Sequence, residues 1–563
     1  MNLLAELGRR VATALEGWVE NGEEYAALVR RSQDPKFGDY QVNSAMSLAK
    51  RLGKPPREVA QEIVARLVWN DLFHAPEIAG PGFINFRLRD EWLAESATQA
   101  AGDPRLGVAT AARPKTYIVD YSSPNVAKPM HVGHIRSTVI GDSLYRTLKF
   151  LGHQVIGDNH LGDWGTQFGM IIYGYRHFVD QAAYEREPVA ELARLYKLVR
   201  KLVDFVDVRR KVAELQNKSE LAEKRAAELA SLTVADPKEA KKHAAAVRKA
   251  KEAACEAHDG YQAALKTIAE VEENPTLRAL AERSPTIDRD VQTETAKLHS
   301  GDPENLRLWK EFMPPCLEAL EKIYRRLHVR FDETLGESFF HPLLKETADD
   351  LTAKGLARIS DGALCVFVEG FRDPFIIQKS NGAFLYATTD LATIKYRMER
   401  WKPDAILYVV DHRQGDHFKQ LFATARIWGY DKVELQHISF GTVLGKDGKP
   451  YKTRAGDAEG LEGLLDEAFE SALAVVSSND DAKKTGPELS AEDRKRIAEV
   501  VGIGAVKYAD LSQNRESDYE YSPEKMVAMD GNTATYMQYA YARLQSIFAK
   551  AEADPDELRR SGA

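Results

Sequence analysis

Cysteine is scarce. The 563 residues include three, Cys255, Cys316 and Cys365, lying far apart with no Cys-x-x-Cys pair. That excludes a disulfide framework and a cysteine-based zinc site. There is also no apolar run near the roughly 18 residues of a membrane span. Met1 to Arg10 carries Glu6 and lacks the apolar stretch of a signal peptide. A cytoplasmic protein with no membrane association is expected. Positive charge is not in excess either, since the formal net charge is -8. A phosphate backbone needs a local basic face rather than a basic whole, so nucleic-acid binding stays open.

What is present is the composition of an ordinary globular protein, with 44% hydrophobic and 29% charged residues. The length suggests roughly three to five domains. Residues 1–110 read as a small α+β module, with a helix over Pro56–Leu67 and a strand over Phe83–Leu88 after the Pro81-Gly82 break. A linker follows around Gly102–Pro114. Thr116–Tyr121 is β-prone, and Ile135, Val139, Ile140, Leu144, Leu148 and Leu151 then recur at helical spacing. Gly152 stands where a helix ends, and His153–Gly157 offers a second strand. This is one strand–loop–helix–strand unit of a doubly wound sheet, placed in residues 111–208. A second unit lies in residues 276–490. Its Ala405–Asp411 is nearly all apolar, as in a buried parallel strand, and is followed by a helix over Gly415–Trp428 and a strand over Val433–Phe440. Two half-folds around a long insertion predict one split α/β Rossmann-type catalytic domain.

Residues 209–275 are rich in Ala, Lys and Glu and are interrupted at Asp236-Pro237. Two antiparallel helices forming a solvated arm are expected, either a bare insertion or a contact to RNA. Residues 491–563 read as the start of an all-α bundle, with helices over Arg494–Leu511 and Asn532–Ala553. Tyr536, Tyr539 and Tyr541 in the last of these either fill a core or stack on unpaired bases.

The chemistry concentrates in two loops. His131-Val-Gly-His134 stands where a loop meets a helix N-terminus, a place of free N–H groups and positive dipole that favours phosphate. Gly133 would let a flat ring lie against the backbone, and the two imidazoles would donate to charge building on a phosphate. Lys128 lies three residues earlier, within reach of the same phosphates. The second loop, Gly157-Asp-Asn-His-Leu-Gly-Asp-Trp-Gly-Thr-Gln-Phe-Gly169, follows a strand end, where open α/β sheets bind ligands.

These residues resemble the class I arginyl-tRNA synthetases. Ser122-Ser-Pro-Asn-Val-Ala-Lys-Pro-Met-His-Val-Gly-His134 and His160-Leu-Gly-Asp-Trp-Gly-Thr-Gln167 carry the resemblance. Gly38-Asp-Tyr-Gln41, Ala79-Gly-Pro-Gly-Phe-Ile-Asn85, Phe331–Phe340, Tyr386-Ala-Thr-Thr-Asp390, Phe440-Gly-Thr-Val-Leu-Gly445 and Gly531-Asn-Thr-Ala534 follow in the family's order. It covers nearly the whole chain except roughly 209–275. It implies ATP-dependent activation of L-arginine and transfer to tRNA(Arg), with magnesium arriving on the ATP, no protein-bound metal and a monomer as the working form. It further implies that tRNA is needed even for adenylate formation, and that residues 1–110 contact the tRNA. His131, Gly133, His134, Lys128, Gly162 and Gly441 would serve ATP. Asp120, Ser122, Asn125, Tyr386, Asp390 and Gln414 would hold arginine, whose planar charged fork demands carboxylate acceptors. Asp390 would also cap the helix after it.

Two features depart from the family pattern. The Lys-Met-Ser-Lys-Ser signature is replaced by Gly445-Lys-Asp-Gly-Lys-Pro-Tyr-Lys-Thr-Arg-Ala-Gly456, in which Lys449, Lys452 and Arg454 would carry the charge. The family's helical anticodon-binding domain runs on beyond the region matching Asn532–Ala553, so the bundle is expected to be incomplete. Two other functions compete: a His-x-Gly-His nucleotidyl transferase using another amino acid, and a non-catalytic RNA-binding protein on the same fold. Asp120 with Asp390 speaks against the first, and His131, Gly133, His134 and Lys128 together speak against the second.

Overall fold

The computed structural model describes residues 2–561 apart from Thr233, Ala235, Pro450 and residues 452–459. The chain forms two compact units, one of Met1–Pro114, Phe150–Gly152 and Tyr539–Ala563, the other of Lys115–Lys149 and His153–Gln538.

The first unit holds a four-stranded antiparallel sheet in the order Val29–Arg31, Tyr40–Val42, Phe83–Phe86, Glu77–Ala79. The expected Pro-Gly break is the turn of a hairpin, with Gly80 and Gly82 both at positive φ. Leu7, Val11 and Leu15, at helical spacing in Leu3–Leu15, bury against Val42, Ile84 and Phe86.

The second unit is built on five parallel strands: β1 (Thr116–Asp120), β2 (Gln154–Leu161), β3 (Glu333–Gly336), β4 (Ala405–Asp411) and β5 (Glu434–Phe440). Their spatial order is β5-β4-β1-β2-β3, every pair parallel. This is the doubly wound arrangement, whose order reverses between β1 and β4 and opens a crevice at their carboxyl ends. Helix α1 (Gly133–Phe150) follows β1 and contributes Ile135 and Val139 to the core beneath the sheet. Its Arg136 is fully buried, with an ion pair to Asp510 at 3.3 Å and a bond to the Ser517 carbonyl at 2.9 Å. A three-stranded antiparallel meander (Ala357–Ser360, Ala363–Val366, Phe375–Gln378), not anticipated from sequence, precedes β4.

The hairpin consists of α2 (Pro188–Ser231) and α3 (Pro237–Glu272), the latter capped by Asp236, whose carboxylate accepts from the Lys238 and Glu239 amides. Helix α2 starts well before residue 209. Its first half buries Leu192, Leu195, Val199, Leu202, Phe205 and Val206, and only the small Ser219 and Ala226 are buried beyond, so residue 209 marks where large buried side chains stop rather than the start of a helix. Further on, α4 (Tyr386–Trp401) and α5 (Gly415–Trp428) flank β4, and Leu461–Asp481 packs on Ala491–Leu511. Helix Ala534–Lys550 leaves Tyr536, Tyr539 and Tyr541 exposed at 47%, 45% and 65%.

Candidate active site

Beyond Asp120 the chain turns through Ser122 (φ 70°) and Ser123 (φ 46°), two consecutive non-glycine residues in the left-handed region. Such backbone costs about 1–3 kcal/mol per residue and persists only where the surroundings over-determine it. Here the Ser122 N–H donates to Ser137 Oγ (2.9 Å) and the Ser123 N–H to Asn159 Oδ1 (3.1 Å). The turn lets the chain cross the sheet's edge before α1 begins. At the carboxyl ends of β1 and β4 it leaves a cleft of about 410 Å³, lined by Asp120, Ser122, Asn125, His131, Gly133, His134, Gly162, Tyr386, Asp390 and Gln414 among others. The cleft brings together ten of the side chains and glycines singled out from sequence, drawn from segments hundreds of residues apart.

His131 and His134 lie with ring centroids 3.8 Å apart, and the His131 N–H donates to His134 Nδ1 at 3.0 Å. The same nitrogen lies 3.2 Å from the His131 carbonyl oxygen, so the His131 backbone fixes the ring on both sides. Burial, the neighbouring His131 and Lys128 pull the His134 pKa down to about 3, so its imidazole is neutral at physiological pH. A Cβ on Gly133 would come within 2.9 Å of the His131 ring, which explains the glycine locally. Gly162 answers a similar demand, because a Cβ there would run into Asn125 Oδ1. The Val126 N–H donates to the Gly162 carbonyl and the Gly162 N–H to the Pro124 carbonyl, each at 3.0 Å, zipping the two loops together.

On the opposite wall, α4 starts at Tyr386 with Leu385 as its cap. Asp390 therefore lies one turn inside the helix and does not cap it, contrary to the sequence-based expectation. Its carboxylate meets His417 Nε2 of α5 at 2.6 Å, and the Tyr386 ring packs on His417 at 4.7 Å. Glu337, which the sequence reading passed over, is the residue after β3 and lines the same cleft as Asp390. Burial, Asp163 and Asp390 push its carboxyl pKa up to about 8. Its only sequence signal was its place inside the Phe331–Phe340 landmark. Asp163 fixes this corner, accepting from the Ser338 N–H (2.8 Å) and the Ser338 hydroxyl (2.5 Å).

Asp120 enters the cleft with its oxygens engaged. Oδ2 meets Nη2 of the fully buried Arg397 at 2.6 Å, and Oδ1 accepts from the Ser123 hydroxyl at 2.9 Å. The same guanidinium pairs with Asp158 at 2.7 Å, the residue opposite Asp120 on β2. Burial works against the Arg397 charge, but the two carboxylates prevail and hold its pKa well above the ordinary value. The Ser122 hydroxyl points inward, bonded to Tyr324 (2.9 Å) and Thr138 (2.8 Å).

Other residues are not brought to the cleft. The Lys128 ammonium lies 5.0 Å above the Tyr196 ring, on the wall of an adjoining cavity. Gly441 packs against the backbone of Ser517, 2.7 Å from where a Cβ would stand, and its neighbour Phe440 lines the cleft in its place. Lys452 and Arg454 lie outside the described residues. Among the described residues, no group of three His, Cys, Asp or Glu side chains is arranged to hold a metal.

A Rossmann-type crevice with a His-x-Gly-His helix entry on one side and clustered carboxylates on the other defines a nucleotide-using enzyme for a cationic substrate. Comparison with known proteins narrows this. A family profile described as "tRNA synthetases class I (R), catalytic domain" matches residues 99–247 and 251–522, and one described as "Arginyl tRNA synthetase N terminal domain" matches residues 5–88. An arginine–tRNA ligase of Rhodopirellula baltica is 52% identical over 98% of this chain and 83% of its own length. One of Edwardsiella ictaluri is 42% identical over 95% of this chain and 79% of its own. The crystal structure of the Plasmodium falciparum arginyl-tRNA synthetase superposes with a TM-score of 0.68 at 25% identity, covering 98% of this chain and 81% of that one. The Thermus thermophilus arginyl-tRNA synthetase shares the fold, with a TM-score of 0.64 at 22% identity over 98% and 82% of the two chains. The chain belongs to the class I arginyl-tRNA synthetases.

Proposed function

We propose that the cleft holds ATP against His131, Gly133 and His134 and holds L-arginine between Asp390, Tyr386 and Glu337. The activity is that of the family: ATP-dependent joining of arginine to tRNA(Arg). The arginine carboxylate attacks the α-phosphorus of ATP and pyrophosphate leaves; the terminal adenosine hydroxyl of the tRNA then attacks the arginyl carbonyl and AMP leaves. Magnesium enters as part of the ATP substrate. The observation that supports the assignment is the presence of two carboxyl groups, Asp390 and Glu337, in one cleft whose far side is a helix entry flanked by the neutral His134. A guanidinium fork satisfies two carboxylates at once, whereas the ammonium of lysine is a point donor, so geometry favours arginine.

His134 donates to the developing charge on the α-phosphate, and the α1 N-terminus adds its dipole. Asn125 and Gln414 are assigned to the carboxylate and amino end of arginine. Asp120 and Ser122 shape that end, the first already clamped by Arg397 and the second bonded inward. Pyrophosphate stabilisation is assigned to Lys128, after a rotation away from Tyr196, together with Lys449, Lys452 and Arg454. The working form is taken as a cytoplasmic monomer; no helix among the described residues is long and apolar enough to cross a membrane.

The test is arginine-dependent ATP–pyrophosphate exchange, with and without tRNA(Arg), against lysine and a panel of other amino acids. Exchange with arginine alone, and only with tRNA present, is the expected result. Exchange with another amino acid, or none with any, would overturn the assignment.

A further inference from the structure

Helix α3 of the hairpin carries its charge in two blocks. From Pro237 to Lys251 it has Lys238, Lys241, Lys242, Arg248, Lys249 and Lys251 against Glu239 alone. From Glu252 to Glu272 it has Glu252, Glu256, Asp259, Glu270 and Glu272 against Lys266 alone. Like charges three and four residues apart repel along a helix, so an arm needing only solubility would mix the signs. The basic block is also directional. Lys238, Lys241, Lys242, Arg248 and Lys249 sit at i, i+3, i+4, i+10 and i+11, which is one face, and all are exposed. Val247 and Ala254, at i+9 and i+16, lie on the opposite face, the first half-buried and the second 8% exposed, where α3 packs on α2, with His258 and Glu223 joined across the pair at 3.0 Å. The basic row therefore looks away from the partner helix. Within it the salt bridges are Lys242–Glu239 and Arg248–Glu252; among the described residues none involves Lys238, Lys241 or Lys249. None of these residues lines the cleft.

We infer that this row is a docking surface for the phosphate backbone of the tRNA substrate. The protein as a whole is acidic, at -8, so a polyanion needs such a local patch to be drawn in. Helix α3 has 36 residues and is therefore about 54 Å long, enough to carry a contact to a part of the RNA remote from the cleft. Contact to phosphates fixes position without reading sequence. The inference rests on the tRNA-charging activity but not on the arginine or ATP contacts.

The experiment compares the wild-type enzyme with a variant carrying Lys238→Gln, Lys241→Gln, Lys242→Gln, Arg248→Gln and Lys249→Gln, and with a control carrying Glu252→Gln, Glu256→Gln and Asp259→Asn. Aminoacylation is measured at several salt concentrations, and circular dichroism checks that the helices are retained. The basic-row variant is expected to raise the KM for tRNA about tenfold or more at low salt, with kcat and the KM values for arginine and ATP unchanged. The slope of log KM against log salt should shrink by about one for each phosphate contact removed. The acidic-block control is expected to leave the KM for tRNA unchanged or to lower it. An unchanged KM for tRNA and salt slope in the basic-row variant overturns the inference, as does a loss confined to kcat. Loss of binding to acidic lipid vesicles with the KM for tRNA intact would also overturn it, in favour of a membrane surface. An inactive wild-type enzyme would fault the activity itself instead.

Discussion

Glu337→Gln tests the guanidinium pocket most directly, because the burial of this carboxyl beside Asp163 and Asp390 sets the sign of its pH dependence. Burial, Asp163 and Asp390 raise the Glu337 carboxyl from 4.5 to about 8. At about 1.4 kcal/mol for each pH unit, holding this group ionised above that range costs roughly 5 kcal/mol. A raised carboxyl pKa means that the folded state keeps a proton which the unfolded chain has released. Stability therefore falls as pH rises from 4.5 to about 8. An arginine guanidinium prefers the ionised carboxylate, so binding below that pKa must expel the proton. The arginine KM is then expected to fall about tenfold for each pH unit approaching pH 8 and to level off above it. Aminoacylation at saturating ATP and tRNA measures this, and calorimetry in two buffers of different ionisation enthalpy counts the proton released. Glu337→Gln should weaken arginine binding, remove the slope and abolish the proton release. A wild-type KM flat across this window, or an equal slope in the glutamine variant, would refute the reasoning.

Asp390→Asn keeps a partner for His417 but removes a charge-assisted bond of about 1.5–3 kcal/mol, so the arginine KM should rise about 10- to 100-fold with kcat little changed; an unmoved KM would remove Asp390 from the pocket. His134→Ala should slow adenylate formation by about 10²–10³-fold, the usual cost of losing one preorganised donor, while the melting temperature holds; unchanged single-turnover rates would exclude it. Because the His134 pKa is lowered to about 3, the unfolded chain takes up a proton that the folded one refuses, so this group's stabilising contribution is lost as pH falls from 6.5 to about 3. His134→Asn should flatten that part of the acid denaturation profile. Arg397→Met strands Asp120 and Asp158 side by side and should cost about 3–5 kcal/mol in urea denaturation, with Asp158→Asn in the same chain restoring part of it; an unshifted midpoint would show the clamp to be dispensable.

What could be read beforehand was carried by contiguous stretches. The apolar run Ala405–Val410 announces a buried parallel strand, and Ile135, Val139 and Ile140 announce a helix packed on a sheet, because both periodicities are local. The His-x-Gly-His entry is likewise one stretch of chain. The other wall of the cleft is different in kind. Strand β3, Glu-Thr-Leu-Gly, is short and partly polar and has no recognisable strand pattern; only pairing with Asp158, Asn159, His160 and Leu161 makes it one. Glu337 follows from that pairing, held by an Asp163–Ser338 bond spanning 175 residues of chain. Arg397 is one arginine among the charged residues at the end of α4, and nothing nearby marks it as buried. Its partners are 277 and 239 residues away, brought together because Asp120 and Asp158 occupy the same register on adjacent strands. Two carboxylates so placed repel unless a cation lies between them. The protein supplies its own at Asp120 and Asp158, whereas Asp390 meets only His417 and Glu337 keeps a proton that a cationic substrate would displace. On that logic specificity for a guanidinium rests on which carboxyl groups, among the described residues, the fold leaves without an arginine of its own, a distinction that only the assembled sheet reveals.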